Sequence, residues 1–149
     1  MVALVPVTRA FYAGHQRVLI DTNVWLYHLE QNPEFGPAAA ELIAAMERGD
    51  FQGIVSELTL LELQVRPLRL ERRDIADQYE LLLDHFPNLI FAPIARNVLT
   101  LAAMLRAKYR LKSPDAIVLA TGIRQGATLA ISNDLQWQRV QEIPTHPLR

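Results

Sequence analysis

Short apolar runs alternate along this chain with longer stretches in which apolar residues recur every three or four positions. The runs Arg17–Asp21, Phe51–Val55, Asn88–Ala92 and Ala127–Ile131 read as buried strands. Helical spacing fills the gaps. One helix begins near Val24 and ends at the breaks Asn32-Pro33 and Gly36-Pro37. A second carries Ala39, Leu42, Ile43 and Met46 on one face, opened by Pro37 and closed by Gly49-Asp50. Ser56 is placed to cap a third over Glu57–Val65, with Pro67 as its stop. Leu58, Leu60, Leu61, Leu63 and Val65 leave that helix almost no polar side, so it is expected to be buried. A fourth spans Leu70–His85, with Ile75, Tyr79, Leu82 and Phe86 in line, and a fifth spans 94–110 through Val98, Leu101, Ala102, Leu105 and Tyr109. Ser113-Pro114-Asp115 has the order of a helix start: cap, proline, first-turn acid. The nearly all-apolar Ala116–Ile123 behind it predicts a central helix, ended by Gly126. A short helix at about Leu135–Val140 and an edge strand near Ile143 close the chain, with Pro144 and Pro147 against a long strand there. Strands alternating with helices imply an α/β fold with a parallel sheet and right-handed crossovers. Residues 1–16 show no period and read as an N-terminal arm to a single domain covering 1–149.

Four carboxylates sit oddly in this pattern. Asp21 follows directly on the first buried strand, and Asp134 follows the fourth through Ser132-Asn133. The carboxyl ends of strands are where open α/β sheets place their ligands. Asp115 opens a buried helix, and Glu62 interrupts one, where a bare charge is costly. Each has an ordinary explanation: Asp21 and Asp134 as cap or turn residues, Asp115 as a complement to the helix dipole, Glu62 as half of a buried ion pair. Four such coincidences in one fold are less economical than one crevice. Thr22 and Asn23 are placed to hold the Asp21 carboxylate or to start the next helix. If the acids converge, a divalent cation resolves their repulsion. Oxygen-only ligands suit Mg²⁺ or Mn²⁺, ions that serve phosphate chemistry.

Composition narrows the alternatives. The chain has 149 residues, half of them hydrophobic and 21% charged, with no cysteine. That excludes a disulfide framework, a thiolate zinc site and a cysteine nucleophile, and fits a cytoplasmic protein. Met1–Val7 is too short, and lacks the basic start, for a signal peptide, and no run has the length of a membrane span. A net charge of −1 leaves any nucleic-acid surface to local clusters. Arg66, Arg69, Arg72 and Arg73 form one, and Arg106, Lys108, Arg110 and Lys112 another that ends just before Asp115. For Arg72 and Arg73, interleaved with Glu71 and Asp74, a solvated helix face is the better reading. His15, His28, His85 and His146 show no ligand spacing, and no phosphate loop or nucleophile elbow is present.

Four blocks in order, Val18-Leu19-Ile20-Asp21-Thr22-Asn23-Val24-Trp25, Ser56-Glu57-Leu58-Thr59-Leu60-Leu61-Glu62, Ser113-Pro114-Asp115-Ala116-Ile117-Val118-Leu119-Ala120-Thr121 and Leu129-Ala130-Ile131-Ser132-Asn133-Asp134, resemble the PIN-domain family, most closely the VapC-type toxins of VapBC toxin–antitoxin pairs. The resemblance runs from about residue 17 to 137. It implies a PIN-like α/β/α sandwich with strand order 3-2-1-4-5 and Mg²⁺- or Mn²⁺-dependent cleavage of RNA. It puts Asp21, Glu62, Asp115 and Asp134 at the metal, with Asn23 and Ser132 orienting carboxylates or metal waters. It further implies a homodimer and a small antitoxin partner. Ser132 stands where the family usually has threonine. Gln136-Trp137 stands where many relatives have an acid before the aromatic, which weakens the case for a second metal ion. The rival classes are a PIN-like module that binds RNA or protein without cutting, and a phosphoryl-transfer protein of similar topology. The second lacks the expected acid at Asn23 and a late lysine.

Overall fold

The computed structural model describes residues 10–148. Five strands form one sheet in the order β3-β2-β1-β4-β5, every neighbouring pair parallel: β1 Arg17–Ile20, β2 Gln52–Ser56, β3 Leu89–Ala92, β4 Leu129–Ile131 and β5 Thr145–His146. The helices are α1 Thr22–Leu29, α2 Gly36–Glu47, α3 Glu57–Arg69, α4 Arg73–His85, α5 Arg96–Tyr109 and α6 Ser113–Arg124, and a 3₁₀ turn covers Leu135–Arg139. The predicted α/β/α sandwich and its strand order are therefore present.

Strand residues alternate faces, and the core divides accordingly. Val18, Ile20 and Val55 point into a layer with Trp25, Leu42, Met46, Leu63 and Leu83, contributed by α1 to α4. Leu19, Ile54 and Ala130 point into the other, with Leu105, Leu119 and Trp137. Helix α6 lies so close to β1 that a Cβ on Gly122 would stand 2.9 Å from the Leu19 Cβ. That approach sets the height of α6, and so of Asp115, above the sheet.

Several expectations need correction. Helix α3 does not stop at Pro67 but runs through it to Arg69. The proline ring is buried, and the turn beyond it closes through Leu70 N–H to the Arg66 carbonyl (3.1 Å) and Arg72 N–H to the Pro67 carbonyl (2.8 Å). Nor is α3 buried on all sides. Thr59, Leu63 and Pro67 face inward, while Leu61 is 58% exposed, because the helix packs through one stripe only. The fourth helix starts at Arg73 rather than Leu70, since Leu70 caps α3. Helix α6 is capped at Lys112 with no side-chain bond, so Ser113 is its first residue and not its cap. The last strand lies at Thr145–His146, and Ile143 belongs to the core. An edge strand flanked by prolines loses no interior ladder bond; the Pro144 carbonyl still accepts from Ala130 N–H at 2.9 Å.

Of the N-terminal arm, residues 1–9 lie outside the described residues. The rest packs against the sheet: Phe11 stacks on His146 with ring centres 4.3 Å apart, and His15 Nδ1 lies 2.7 Å from Thr128 Oγ1. Among the described residues no helix is long and apolar enough to cross a membrane.

Candidate active site

Asp21 stands one residue beyond β1, and its N–H carries the ladder on to the Ile131 carbonyl at 3.1 Å. Because β1 and β4 pair with Ile20 opposite Ile131, the next residues, Asp21 and Ser132, are also neighbours. Ser132 donates its hydroxyl to Asp21 Oδ2 at 2.7 Å and accepts the N–H of Asp134 at 3.0 Å. One buried hydroxyl thus ties two of the four acids together. Asp134 Oδ1 accepts the N–H of Gln136 at 2.9 Å and so also caps the 3₁₀ turn, as an ordinary turn aspartate would.

Glu62 is reached from the other side. Thr22, the first residue of α1, donates its hydroxyl to Glu62 Oε1 at 2.8 Å, and Thr59 lies 2.8 Å from the same hydroxyl. A threonine has one proton to give, so Thr59 supplies its own to Thr22. Thr59 precedes Glu62 by one turn of α3, and the two threonines, both buried, fix the side chain where α1 crosses α3. Thr22 thus starts α1 as expected; its backbone N–H helps hold the Asp21 carboxyl down, while its hydroxyl serves Glu62. Asp115, in the first turn of α6, accepts the indole N–H of Trp137 at Oδ1 (3.2 Å).

Burial pushes the Asp21 carboxyl up to about 6; the Ser132 hydrogen bond opposes this, and the charges of Asp115 and Glu62 add to it. Glu62 is raised by burial, against the Thr22 hydrogen bond, with Asp115 adding to the rise. Asp115 is raised by burial, against the Trp137 hydrogen bond, and further by Asp134, while Lys112 counteracts it. The three acids therefore feel one another, and Asp134 joins through Asp115. None of the ion pairs among the described residues involves any of the four.

An uncompensated, partly buried, all-oxygen cluster is the donor chemistry of a hard divalent cation. No three acidic or histidine side chains among the described residues are gathered closely enough to enclose an ion directly. An ion held by this set would be held in part through water, which Mg²⁺ tolerates. Asp21, Glu62, Asp115 and Asp134 are the residues that would hold it.

Asn23 is exposed on the first turn of α1, and among the described residues its side chain makes no hydrogen bond. Of the basic residues, Lys112 is the one whose charge reaches Asp115. Arg66 pairs with Glu30, Arg72 with Asp74 (3.0 Å) and Lys108 with Glu142 (3.2 Å), which bears out the solvated-face reading for Arg72. A cavity of about 400 Å³ beside the α1–α2 connection, lined by His28, Asn32 and Pro37 among others, contains none of the acids. Sequence reasoning missed Thr59 and the polar role of Trp137. The signal for the second was the indole itself, which usually finds a hydrogen-bond partner when buried.

The fold is a parallel α/β/α sandwich whose switch point lies between β1 and β4, where Asp21 and Ser132 stand at the strand ends. The PIN domain family model matches residues 18–143, and the chain belongs to that family. Solved structures agree on the fold. The chain superposes with a TM-score of 0.71 on a chain of VapBC2 from Rickettsia felis bound to a DNA fragment from their promoter, at 13% identity over 89% of this chain and 99% of that one. For a toxin–antitoxin complex from Klebsiella pneumoniae the values are 0.66, 20%, 85% and 94%, and for FitAcB from Neisseria gonorrhoeae 0.64, 16%, 86% and 95%. Among curated protein sequences none matches the chain.

Proposed function

We propose that this protein is a metal-dependent endoribonuclease, the toxin half of a toxin–antitoxin pair of the VapC type. The observation that carries the reading is the convergence of Asp21, Glu62 and Asp115 from three segments of chain, each held by a donor and each made harder to ionise by burial and its neighbours. A protein has little reason to keep such a cluster unless a cation compensates it. Membership of the PIN family and the toxin–antitoxin complexes among the structural neighbours support the same reading.

In this reading Asp21, Glu62, Asp115 and Asp134 hold Mg²⁺ or Mn²⁺, directly or through water. When bound, the ion supplies charge stabilisation to the hydrolysis of a phosphodiester. Ser132 keeps Asp21 and the Asp134 backbone in fixed relation, and Thr22 keeps Glu62 turned toward them. Asn23, exposed beside Asp21, orients metal waters or the incoming backbone. Lys112, at the cap of α6, and Arg110 contact phosphates, which sets salt dependence and not sequence choice. The protein acts in the cytoplasm as a single domain and a homodimer, and a small antitoxin blocks the crevice.

The test is cleavage of a mixed RNA pool by purified protein with Mg²⁺, with Mn²⁺ and with EDTA, beside Asp21→Asn. Cutting that needs metal and is lost in the variant is the expected result. Cutting that survives in the variant refutes the site. RNA retained in EDTA with no product in any tube replaces the enzyme by a binding module.

A further inference from the structure

Of the three acids held by side chains, two are held by hydroxyls and the third by an indole. We propose that Trp137 is a positioning residue of the metal site: its N–H, donated to Asp115 Oδ1, fixes the orientation in which that carboxylate meets the cation. The inference rests on the metal reading above and goes beyond it by assigning a polar task to a residue of the hydrophobic core.

The geometry gives the indole little choice of direction. Trp137 is fully buried and packs in the same layer as Leu119, Val140 and Ile143. Its backbone N–H bonds to the Asp134 carbonyl at 3.2 Å, and the residue lies within the 3₁₀ turn that Asp134 caps. The turn that places Asp134 therefore also aims the N–H of Trp137 at Asp115, which comes from a different helix. An indole nitrogen only donates, so the contact suits a carboxylate and nothing that would compete for its proton. Among the described residues this is the one side-chain donor bonded to Asp115, as Ser132 is for Asp21 and Thr22 for Glu62. Packing alone does not require the bond. Trp25, the other tryptophan, is equally buried, and among the described residues its indole N–H has no hydrogen-bond partner. Phenylalanine at 137 would fill much of the same space and leave Asp115 unheld.

Two tryptophans give two indole N–H signals in a ¹H–¹⁵N spectrum of the full chain. Asp115→Asn is expected to move one of them and leave the other, and saturation of the parent with Mg²⁺ should move that same signal. Trp137→Phe should lose that signal and bind Mg²⁺ about tenfold more weakly by calorimetry, as loss of a ligand's hydrogen-bond partner does elsewhere. A purely structural tryptophan would lower the melting temperature without changing Mg²⁺ affinity in the folded protein. Equal affinity in folded Trp137→Phe, or a Trp137 signal in the parent that ignores bound Mg²⁺, overturns the inference while leaving the metal site in place. The second readout needs no variant to fold. A parent that takes up no Mg²⁺ in the calorimeter overturns the metal reading and this inference with it.

Discussion

Replacing Asp21 by asparagine should make the metal-free protein more stable, and by an amount that depends on pH. Asp21 is 7% exposed, and burial pushes its carboxyl up to about 6, against an ordinary 3.8. A raised carboxyl means that the folded protein holds a proton that the unfolded chain has already released. Stability from this residue is therefore present at about pH 4 and is lost as pH rises to about 6 and beyond. The full displacement corresponds to ~3 kcal/mol of strain on the folded state at pH 8. Asparagine keeps the shape and can still accept the Ser132 proton through its oxygen, but its buried amide lacks a partner and returns roughly 1 kcal/mol of that gain. The expected net is about 2 kcal/mol at pH 8, or roughly 5 °C in melting temperature, shrinking to nothing or below near pH 4. Urea unfolding followed by circular dichroism, in EDTA, at half-unit steps from pH 4 to 8, reads the difference directly. Ionisations common to both proteins largely cancel in it. Mg²⁺ should stabilise the parent and not the variant, which closes or reverses the gap. A variant no more stable than the parent at pH 8, or a gain that stays constant from pH 4 to 8, would refute the claim that Asp21 is strained by burial and neighbouring charge.

Two further outcomes follow from the packing around the site. Gly122→Ala should cost about 1–3 kcal/mol in urea unfolding, because the new methyl meets Leu19 at 2.6–3.0 Å against a strand that cannot retreat. Ser132→Ala removes the donor to Asp21 and the acceptor of Asp134 N–H together, so metal-dependent RNA cleavage should fall at least tenfold, while Ser132→Thr, which keeps the hydroxyl, should cut at close to the parental rate.

Four of the strands were legible because their signal is local: β1 to β4 are short apolar runs, three of them closed by Asp or Ser and β3 by Pro93, with helices between them. The two-residue β5, Thr145–His146, is no apolar run. Strand order was not local, and came through resemblance to a family. The acids were legible for a related reason. Asp21 and Asp134 sit where apolar runs stop, and Glu62 and Asp115 sit in apolar surroundings. What holds them was harder to see. Thr59 reads as one more residue of an apolar helix until α1 is known to cross α3, and Trp137 reads as core because it is core. Pro67 misled for the opposite reason. A proline's local effect is to end a helix, but here its ring is buried and the following turn closes around it. Leu61 misled because an apolar count says nothing of which stripe a helix turns inward.

The hydrogen bond from Ser132 to Asp21 joins positions 111 residues apart in the chain. That distance has a consequence in time. A chain being synthesised presents Asp21 early, then Glu62, then Asp115, while Ser132 and Asp134 emerge near the end. Until β4 pairs with β1, Asp21 borders an open strand edge with no hydroxyl to hold it. No nascent fragment short of β4 contains all four acids. Under the reading proposed above, a chain emerging in this order stays inert toward its own message until its sheet is nearly closed.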